Sequence, residues 1–415
     1  MTEWLEKTLG EVTLFITKGI PPKYTEEERE DTIRVLNQKC NRNFEISYSE
    51  SRIHDCAQKK VPADKMLKAG DVLINSTGTG TAGRVAQMLE VTVPTTIDGH
   101  MILIRPSEEL DPIYYGYAVK THQSQIEGLA EGSTGQTEIN RRRLQDEVII
   151  RYPRDKSIQK NIGNFLANID GKIKTNTEIN ENLEQQSQAL FKAWFIDNPE
   201  NENWKQGTFA ELVTSTLNGD WGKETPSGNN VQKVYCVRGA DIPDVKVGNK
   251  GKMPTRYILP KNYVSKQLSD GDIVVEISGG SPTQSTGRCI TITKSLLDRY
   301  DSGMVCTNFC KAIKPLKGYS MFIYYYLQYM YDRNVFFSYE NGTTGIKNLD
   351  FSGFLESEKI IIPPFNLVEK FNDYCRSTFD QVFSNGKQTE QLVIIRDTLL
   401  PRLMSGKLDV SNINL

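Results

Sequence analysis

The chain has 415 residues, seven cysteines and a formal net charge of −2, from 50 basic and 52 acidic side chains. This length allows two or three domains, each with its own core. The odd, scattered set of cysteines predicts a reducing, cytoplasmic environment rather than a disulfide framework. The longest apolar run, residues 321–327, is too short to span a bilayer, and the first residues do not resemble a secretion signal.

The sequence repeats itself after about 200 residues. Residues 70–73 (GDVL) return as residues 271–274 (GDIV), and residues 132–135 (GSTG) return as residues 342–345 (GTTG). A period this long indicates a duplicated domain rather than a solenoid. Two similar units offer two similar surfaces, and duplex DNA is the commonest ligand with a matching dyad. The near-neutral charge argues against DNA binding, although specific contact needs only a local basic face.

Each copy is predicted to be a mixed α+β unit. Short apolar runs bounded by Gly, Pro and Asp, such as residues 72–74 and 101–104, are typical of buried strands. After Pro153 and Pro364 the pattern changes to a helical period. The predicted segments are a first unit at 1–152, a long helix at 153–200, a second unit at 201–363, and a second long helix with a tail at 364–415.

Two heptad patterns predict that the long helices pack against each other. A helix of about 40 residues with one apolar stripe needs a partner stripe. Asn176 and Asn385 fall at equivalent positions, where a buried Asn can fix register, or where a solvated bend can occur. The predicted helix–helix positions are Ile162, Ile169, Asn176, Leu183 and Leu190 in the first helix, and Phe371, Asn385, Leu392 and Leu399 in the second.

Polar loops beside the predicted strands are the candidate DNA-binding segments. Residues 78–84 (GTGTAGR) and 278–288 (SGGSPTQSTGR) both end in Gly-Arg but differ in glycine spacing, which favours loops that read different targets over a nucleotide site. Residues 132–143 carry three arginines where the second copy has only Lys347 nearby, so the two halves are predicted to bind unequally. The candidate residues are Lys18, Lys23, Asn75, Thr77, Thr79, Arg84, Gln136, Arg141, Arg142, Arg143, Lys223, Ser278, Ser281, Gln284, Arg288, Thr343, Thr344 and Lys347.

No catalytic or metal-binding group of residues is predicted. The three histidines, His54, His100 and His122, all lie in the first copy, whereas a duplicated enzyme would be expected to repeat them. Cys306 and Cys310 are close in sequence, but no second Cys/His pair follows at zinc spacing.

With these features the chain resembles the specificity subunits of type I restriction–modification systems over nearly its whole length. The resemblance is carried by the order of several motifs, each occurring twice, together with the C-terminal sequence LLPRLMSGKL at 399–408. The first copy joins its helix through RYP at 151–153 and the second through IPP at 362–364, so the hinge angles are expected to differ. The repeated motifs are Trp4-Leu5 and Trp204-Lys205, the GDVL and GDIV strands, the Gly-Ser/Thr-Thr-Gly loops, the joints at Pro153 and Pro364, and the two long helices.

The resemblance implies an α+β protein with two target recognition domains separated by two long helices, which pack as an antiparallel coiled coil with pseudo-two-fold symmetry. Each domain would read one half of a bipartite DNA target, and the helices would set the spacer length. The chain itself would be non-catalytic and would bind no cofactor. Its partners would be double-stranded DNA, two modification subunits that use S-adenosylmethionine to methylate adenine, and motor-nuclease restriction subunits that use ATP and Mg.

Two alternatives stay open from the residues alone. One is a duplicated protein-binding scaffold, which the lack of a basic bias favours. The other is an enzyme that binds a nucleotide at residues 78–84. The DNA hypothesis predicts that Arg84→Ala or Arg288→Ala weakens binding to a cognate site by about 1–3 kcal/mol if that arginine touches a base.

Overall fold

The computed structural model describes residues 3–132, 137–281, 283–342 and 346–408. The chain forms two compact units, unit 1 from residues 1–171 and 392–415, and unit 2 from residues 172–391. The boundaries between the units, at 171/172 and 391/392, fall inside the two long helices. The predicted segments instead make each long helix a segment of its own. The mixed α/β architecture predicted from the sequence is confirmed.

Unit 1 is built on two four-stranded sheets and three short strand pairs. Its strands are β1 Trp4–Thr8, β2 Thr13–Lys18, β3 Tyr24–Thr25, β4 Thr32–Leu36, β5 Asn41–Arg42, β6 Glu45–Ile46, β7 Arg52–Asp55, β8 Val72–Asn75, β9 Val85–Gln87, β10 Thr95–Ile97, β11 Met101–Pro106, β12 Ala130–Glu131, β13 Glu138–Ile139 and β14 Ile149–Pro153. The sheets are ordered β2-β11-β8-β9 and β10-β4-β7-β3, and the pairs are β1-β14, β5-β6 and β12-β13. Its helices are α1 Pro112–Thr121, α2 Gln123–Glu127 and α3 Arg141–Glu147.

The first long helix, α4 Lys156–Phe191, continues into a π-helical turn at Lys192–Ile196. Unit 2 then repeats the arrangement of unit 1 with sheets ordered β16-β23-β19-β21 and β18-β17-β22, the pair β15-β26, and the three short strands β20-β25-β24. Its strands are β15 Lys205–Thr208, β16 Val213–Asn218, β17 Gln232–Val237, β18 Thr255–Ile258, β19 Ile273–Glu276, β20 Ser278–Gly279, β21 Cys289–Thr291, β22 Met304–Cys306, β23 Cys310–Pro315, β24 Glu340–Asn341, β25 Lys347–Leu349 and β26 Lys359–Ile362. Its helices are α5 Ile242–Lys246, α6 Pro260–Lys266, α7 Lys294–Leu297, α8 Ser320–Asp332 and α9 Phe351–Ser357, and the chain ends in the second long helix, α10 Phe365–Met404.

The repeated Gly-Asp motif builds the start of the central strand in each unit. Gly70 and Gly271 adopt φ values of 91° and 92°, a region that favours glycine. The next residue, Asp71 in unit 1, accepts a hydrogen bond from a backbone N–H three residues back and pairs with Arg105 on β11 at 2.6 Å. Asp272 makes the equivalent contacts, including an ion pair with a lysine on β23 at 2.8 Å. This motif therefore fixes the sheet and is not part of a binding loop.

The two long helices run antiparallel within unit 2. Asn180 on α4 donates to the Val382 carbonyl on α10 at 3.0 Å, and Asn176, one turn earlier on α4, donates to Gln388, further along α10, at 2.9 Å. Asn385 donates to Asn180 at 2.8 Å. Because Asn176 is only 1% exposed and bonds across the helix pair, it is not a solvated bend. The predicted antiparallel pairing is confirmed, with Phe371 and Asn385 also buried, and Leu183 and Leu190 half-buried.

Unit 1 contains the other end of each long helix. Ile162 and Leu166 of α4 are buried in one apolar cluster with Leu400 and Leu403 of α10, and Leu399 packs against it. Ile169 is also buried, and Leu392 is half-buried. Arg396 of α10 pairs with Asp170 of α4 at 2.7 Å. None of the helices in the described ranges has the length and apolar character needed to cross a bilayer.

Candidate nucleic-acid interface

A Gly-Arg turn leads the chain back into the sheet at the end of the central strand in both units. In unit 1 the Gly83 N–H donates to the Asn75 carbonyl at 2.8 Å, and the Asn75 N–H donates to the Arg84 carbonyl at 3.0 Å. In unit 2 the two equivalent bonds join Glu276 to Gly287 and to Arg288, both at 2.8 Å. The two turns therefore share one pattern of backbone hydrogen bonds, while the loops that precede them differ in length and sequence.

The second predicted loop of each unit packs against the first. In unit 1 the Ile139 N–H donates to the Ser76 carbonyl at 2.7 Å, directly beside the Gly-rich loop. In unit 2 the Leu349 N–H donates to the Ile277 carbonyl at 2.8 Å, and β25 pairs with β20. The structure thus brings together segments that are about 60 to 70 residues apart in sequence. The predicted contacts Gln136, Thr343 and Thr344 lie outside the described residues.

The two turn arginines have different environments. Arg84 is half-buried and donates to the Gly80 carbonyl at 2.9 Å, with no carboxylate partner among the described residues. Arg288 instead makes a two-point ion pair with Glu276, at 2.8 Å from Nε and 2.7 Å from Nη2. Hydrogen bonding to this buried carboxylate raises the pKa of Arg288. Arg288 is therefore already engaged inside unit 2, whereas Arg84 has donors to spare.

Several other predicted cations are also paired within their own unit. Lys18 forms an ion pair with Glu138 on β13, and burial followed by the charge of Arg141 lowers the pKa of Lys18. Arg143 is held between Glu131 and Glu147 at 2.7 and 2.6 Å. Lys347 pairs with Glu340 at 2.9 Å.

A smaller set of predicted cations faces solvent. Lys23, Arg141 and Lys223 are exposed and have no carboxylate partner within the described ranges. Arg142, whose side chain is 91% exposed, lies 3.6 Å from Asp146. Lys23 and Lys223 occupy equivalent places, because the carbonyl of each accepts a backbone N–H from the neighbouring strand at 2.9 Å.

The predicted polar residues divide in the same way. Asn75 is completely buried, with its amide bonded to Asn41 and to the Gln38 carbonyl, so it supports the loop from below. Ser278 donates to Asn348 at 2.5 Å, and Ser281 accepts backbone N–H groups of its own turn, which shapes the second loop. Thr79 and Gln284 are exposed at the loop surfaces, and Thr77 is half-buried.

Two polar residues that the sequence analysis did not select lie in the unit 1 interface. Gln38 donates from Nε2 to the Thr77 carbonyl at 2.5 Å and to its hydroxyl at 2.6 Å. His100 is exposed, and its Nδ1 lies 3.0 Å from the Thr77 hydroxyl. The available signal for His100 was its position immediately before the apolar run of β11. Gln38 comes from a distant segment, and only the fold brings it here.

The structure does not favour a nucleotide site at residues 78–84. That loop is followed by strand β9, whereas a phosphate-binding glycine loop leads into a helix whose N-terminus faces the phosphate. Within the described ranges, no group of three or more His, Cys, Asp or Glu side chains could hold a metal ion.

Residues 1–185 match the family described as the type I restriction modification DNA specificity domain. The MjaIX specificity subunit of Methanocaldococcus jannaschii is 28% identical over 327 residues, 72% of this chain and 69% of that protein. The HindI specificity subunit of Haemophilus influenzae is 23% identical and is aligned over 98% of this chain and all of that protein. The resemblance predicted from the sequence is confirmed.

A solved structure shares the fold of this chain. The crystal structure of the type I restriction–modification S subunit from M. genitalium superposes with a TM-score of 0.60. The alignment covers 97% of this chain and 96% of that chain, at 17% identity. The α+β organisation with long helices is therefore shared along almost the whole chain.

Proposed function

We propose that this chain is the DNA-recognition subunit of a type I restriction–modification complex. The observation that carries the proposal is a rim that recurs in each unit at the end of the central strand, β8 or β19. At this rim a Gly-Arg turn, residues 83–84 or 287–288, meets the hairpin strand β13 or β25. The frame of backbone hydrogen bonds is kept, while the loops that it supports change in length and sequence. Sequence-specific readers need such a frame, because base-edge contacts are made by side chains on loops held in place by rigid elements.

Each unit reads one half of a bipartite target. In the first unit, residues 18–23, 75–84 and 132–143 contact the major groove. In the second unit, residues 218–223, 278–288 and 341–347 do so. The exposed Arg, Lys, Gln and Thr side chains supply contacts to bases and phosphates, and the buried polar residues hold the loops in shape.

The long helices act as the spacer that sets the separation of the two half-sites. The amides of Asn176, Asn180 and Asn385 support this role, because they pair specific positions of the two helices and so fix their register. A one-turn slip would leave these buried amides without partners, which is costly in an apolar surrounding.

The chemistry of the complex belongs to its partners. Two modification subunits use S-adenosylmethionine to methylate adenine, and restriction subunits use ATP and Mg to cleave unmodified DNA. The absence of a repeated catalytic residue in the two copies supports a non-catalytic role for this chain. Its modest set of unpaired cations supports sharing of phosphate contacts with the partners.

Methylation mapping followed by a binding assay tests the proposal. The chain is expressed with its modification subunits, and single-molecule sequencing of the host DNA is expected to show methylated adenines in one bipartite motif. Purified complex should then bind a duplex with that motif far more tightly than duplexes with either half-site scrambled, and the affinity should fall as salt rises. Equal affinity for all duplexes would instead support a protein-binding scaffold.

A further inference from the structure

His100 and Phe309 occupy one structural position in the two units. Each residue directly precedes the strand that pairs with the central strand, which is β11 beside β8 in unit 1 and β23 beside β19 in unit 2. The His100 carbonyl accepts the Ser76 N–H at 2.8 Å, and the Phe309 carbonyl accepts the Ile277 N–H at 2.9 Å. The chain around both residues is therefore held in the same way, and only the side chain differs.

This position lies at the rim that holds both predicted loops. Ser76, whose N–H donates to the His100 carbonyl, also accepts the Ile139 N–H of β13 through its own carbonyl. Ile277 makes the same two bonds with Phe309 and with Leu349 of β25. A third segment thus joins the glycine-rich loop and the hairpin in each unit, next to the Gly-Arg turn.

The Phe309 side chain is unusual for this rim because it is apolar and 60% exposed. An aromatic ring that is left in water forfeits the free energy of burial. In the major groove of DNA, the apolar group on a base edge is the C5-methyl of thymine, which aromatic and aliphatic side chains contact.

The two units differ in the environment of the arginine in the Gly-Arg turn. The Glu276 carboxylate accepts hydrogen bonds from Nε and Nη2 of Arg288 and so holds this guanidinium against unit 2, whereas Arg84 in unit 1 donates to a backbone carbonyl. In unit 1 the equivalent rim side chain is His100, whose Nδ1 faces the Thr77 hydroxyl while the ring is exposed to solvent.

We propose that this rim position determines specificity in both units. Phe309 packs on the methyl group of a thymine in the half-site read by unit 2, and His100 hydrogen-bonds a base edge in the half-site read by unit 1. The inference rests on the proposed function and adds the class of base contact that each unit makes.

Replacing thymine by uracil tests the Phe309 contact, because this change removes only the C5-methyl group. The chain in complex with its modification subunits is titrated with duplexes in which each thymine of the target is replaced in turn. One replacement is expected to weaken wild-type binding about fourfold, the value of one buried methyl group. The Phe309→Ala complex should bind the thymine-containing duplex about as weakly as the wild-type complex binds the uracil duplex. Its affinity should not change when that thymine is replaced by uracil.

Val264→Ala is the matched control, since Val264 is a 74% exposed apolar residue of α6 in the same unit. This variant should keep the wild-type response to uracil, and the thermal unfolding of both variants should match wild type. His100→Ala should relax the preference at one base pair of the other half-site and leave the uracil response unchanged.

Three outcomes count against the inference. A wild-type complex that discriminates the target but responds to no uracil replacement, or a Phe309→Ala complex with an unchanged response, overturns the Phe309 contact alone. A wild-type complex that does not distinguish the mapped target from scrambled duplexes overturns the proposed function, and this inference with it.

Discussion

At the scale of single residues, the arginines of the two Gly-Arg turns are expected to have different roles, Arg84 in DNA binding and Arg288 in stability. Arg84→Ala is expected to weaken binding to the cognate duplex by about 1–3 kcal/mol and to relax one base preference, because its guanidinium is free of carboxylates in the described chain. Competition binding with duplexes altered at single base pairs measures both effects. Unchanged affinity with unchanged base preference would remove Arg84 from the interface.

Arg288→Ala is expected to act on stability rather than on base preference. The substitution leaves the Glu276 carboxylate, which is buried, without its partner, and a buried unpaired charge costs about 2–3 kcal/mol. Urea unfolding of the variant should show this loss, whereas Arg142→Ala, at a 91% exposed position, should unfold like wild type. The sequence alone predicted equal roles for Arg84 and Arg288, since nothing in the pattern links Glu276 with the arginine 12 residues later.

Lys120 on α1 gives unit 1 a pH-dependent stability. Burial lowers the pKa of Lys120 from 10.5 to about 8, and Asp170 opposes this effect only in part. Because the unfolded chain keeps the ordinary pKa, it binds more protons than the folded chain between pH 8 and 10.5, so stability rises with pH in that window. Below about pH 8 the full cost of burying the ammonium group is present.

Lys120→Met should therefore stabilise unit 1 at pH 7 by about 1–2 kcal/mol and should lose this advantage as the pH approaches 10. Urea unfolding of wild type and variant at pH 7 and pH 9.5 gives the two differences. Lys160→Met, at an exposed position of α4, serves as the control and should change neither value. An advantage of equal size at both pH values would show that packing, and not charge, is responsible.

At the scale of elements, a close backbone contact fixes α10 against unit 2. A Cβ atom on Gly386 would lie 1.9 Å from the Gly248 carbonyl oxygen. The same loop is held by Asn180, which donates to the Val247 carbonyl at 3.0 Å, and by Arg299, which donates to the Gly248 carbonyl at 2.6 Å. Gly386 is thus required by the contact, although glycine weakens a helix interior.

Gly386→Ala is expected to destabilise unit 2 by about 1–3 kcal/mol, because the loop must move away from the helix. Gly171→Ala in α4 is the matched control, since a Cβ there meets nothing within 4 Å. That control should gain up to about 1 kcal/mol from better helix propensity. Denaturant unfolding compares the two, and a gain in both variants would show that the loop yields without cost.

The elements could be predicted from the sequence where a periodic pattern sets them. The heptads predict both long helices, and Asn176 and Asn385 stand out in them because polar residues visibly interrupt an apolar stripe. In the structure both side chains donate hydrogen bonds to the opposite helix. The burial of Asn75 was not predictable. A polar residue at a strand end looks like a loop contact until Asn41, more than 30 residues earlier, is found bonded to it.

The candidate site was predictable at the level of segments and not of side chains. The glycine-rich loop and the hairpin were selected by composition, and the fold brings them together in both units. His100 and Phe309 are different residue types, so the sequence does not show that their positions are equivalent. Their equivalence becomes visible only through the hydrogen bonds that their carbonyl groups accept. Four predicted DNA-binding cations form ion pairs within their own unit: Lys18, Arg143, Arg288 and Lys347. These ion pairs depend on how the chain packs, so the sequence pattern does not predict them.

At the scale of the whole molecule, the net charge of −2 and the internal ion pairs predict weak dependence of DNA binding on salt. Four predicted interface cations have no carboxylate partner in the described chain: Lys23, Arg84, Arg141 and Lys223. Each phosphate neutralised contributes about 0.9 to the slope of log affinity against log salt. The chain without its partner subunits should therefore give a slope no steeper than about −4.

Fluorescence anisotropy with a labelled cognate duplex between 50 and 200 mM salt measures this slope. Lys23→Ala and Lys223→Ala should each make it shallower by about 1 and weaken cognate and scrambled duplexes alike, as expected of phosphate contacts. Adding the modification subunits should make the slope steeper, because their cations then share the phosphate backbone. A slope near −8 for the chain alone would contradict the prediction and would place further cations, outside the two rims, against the DNA.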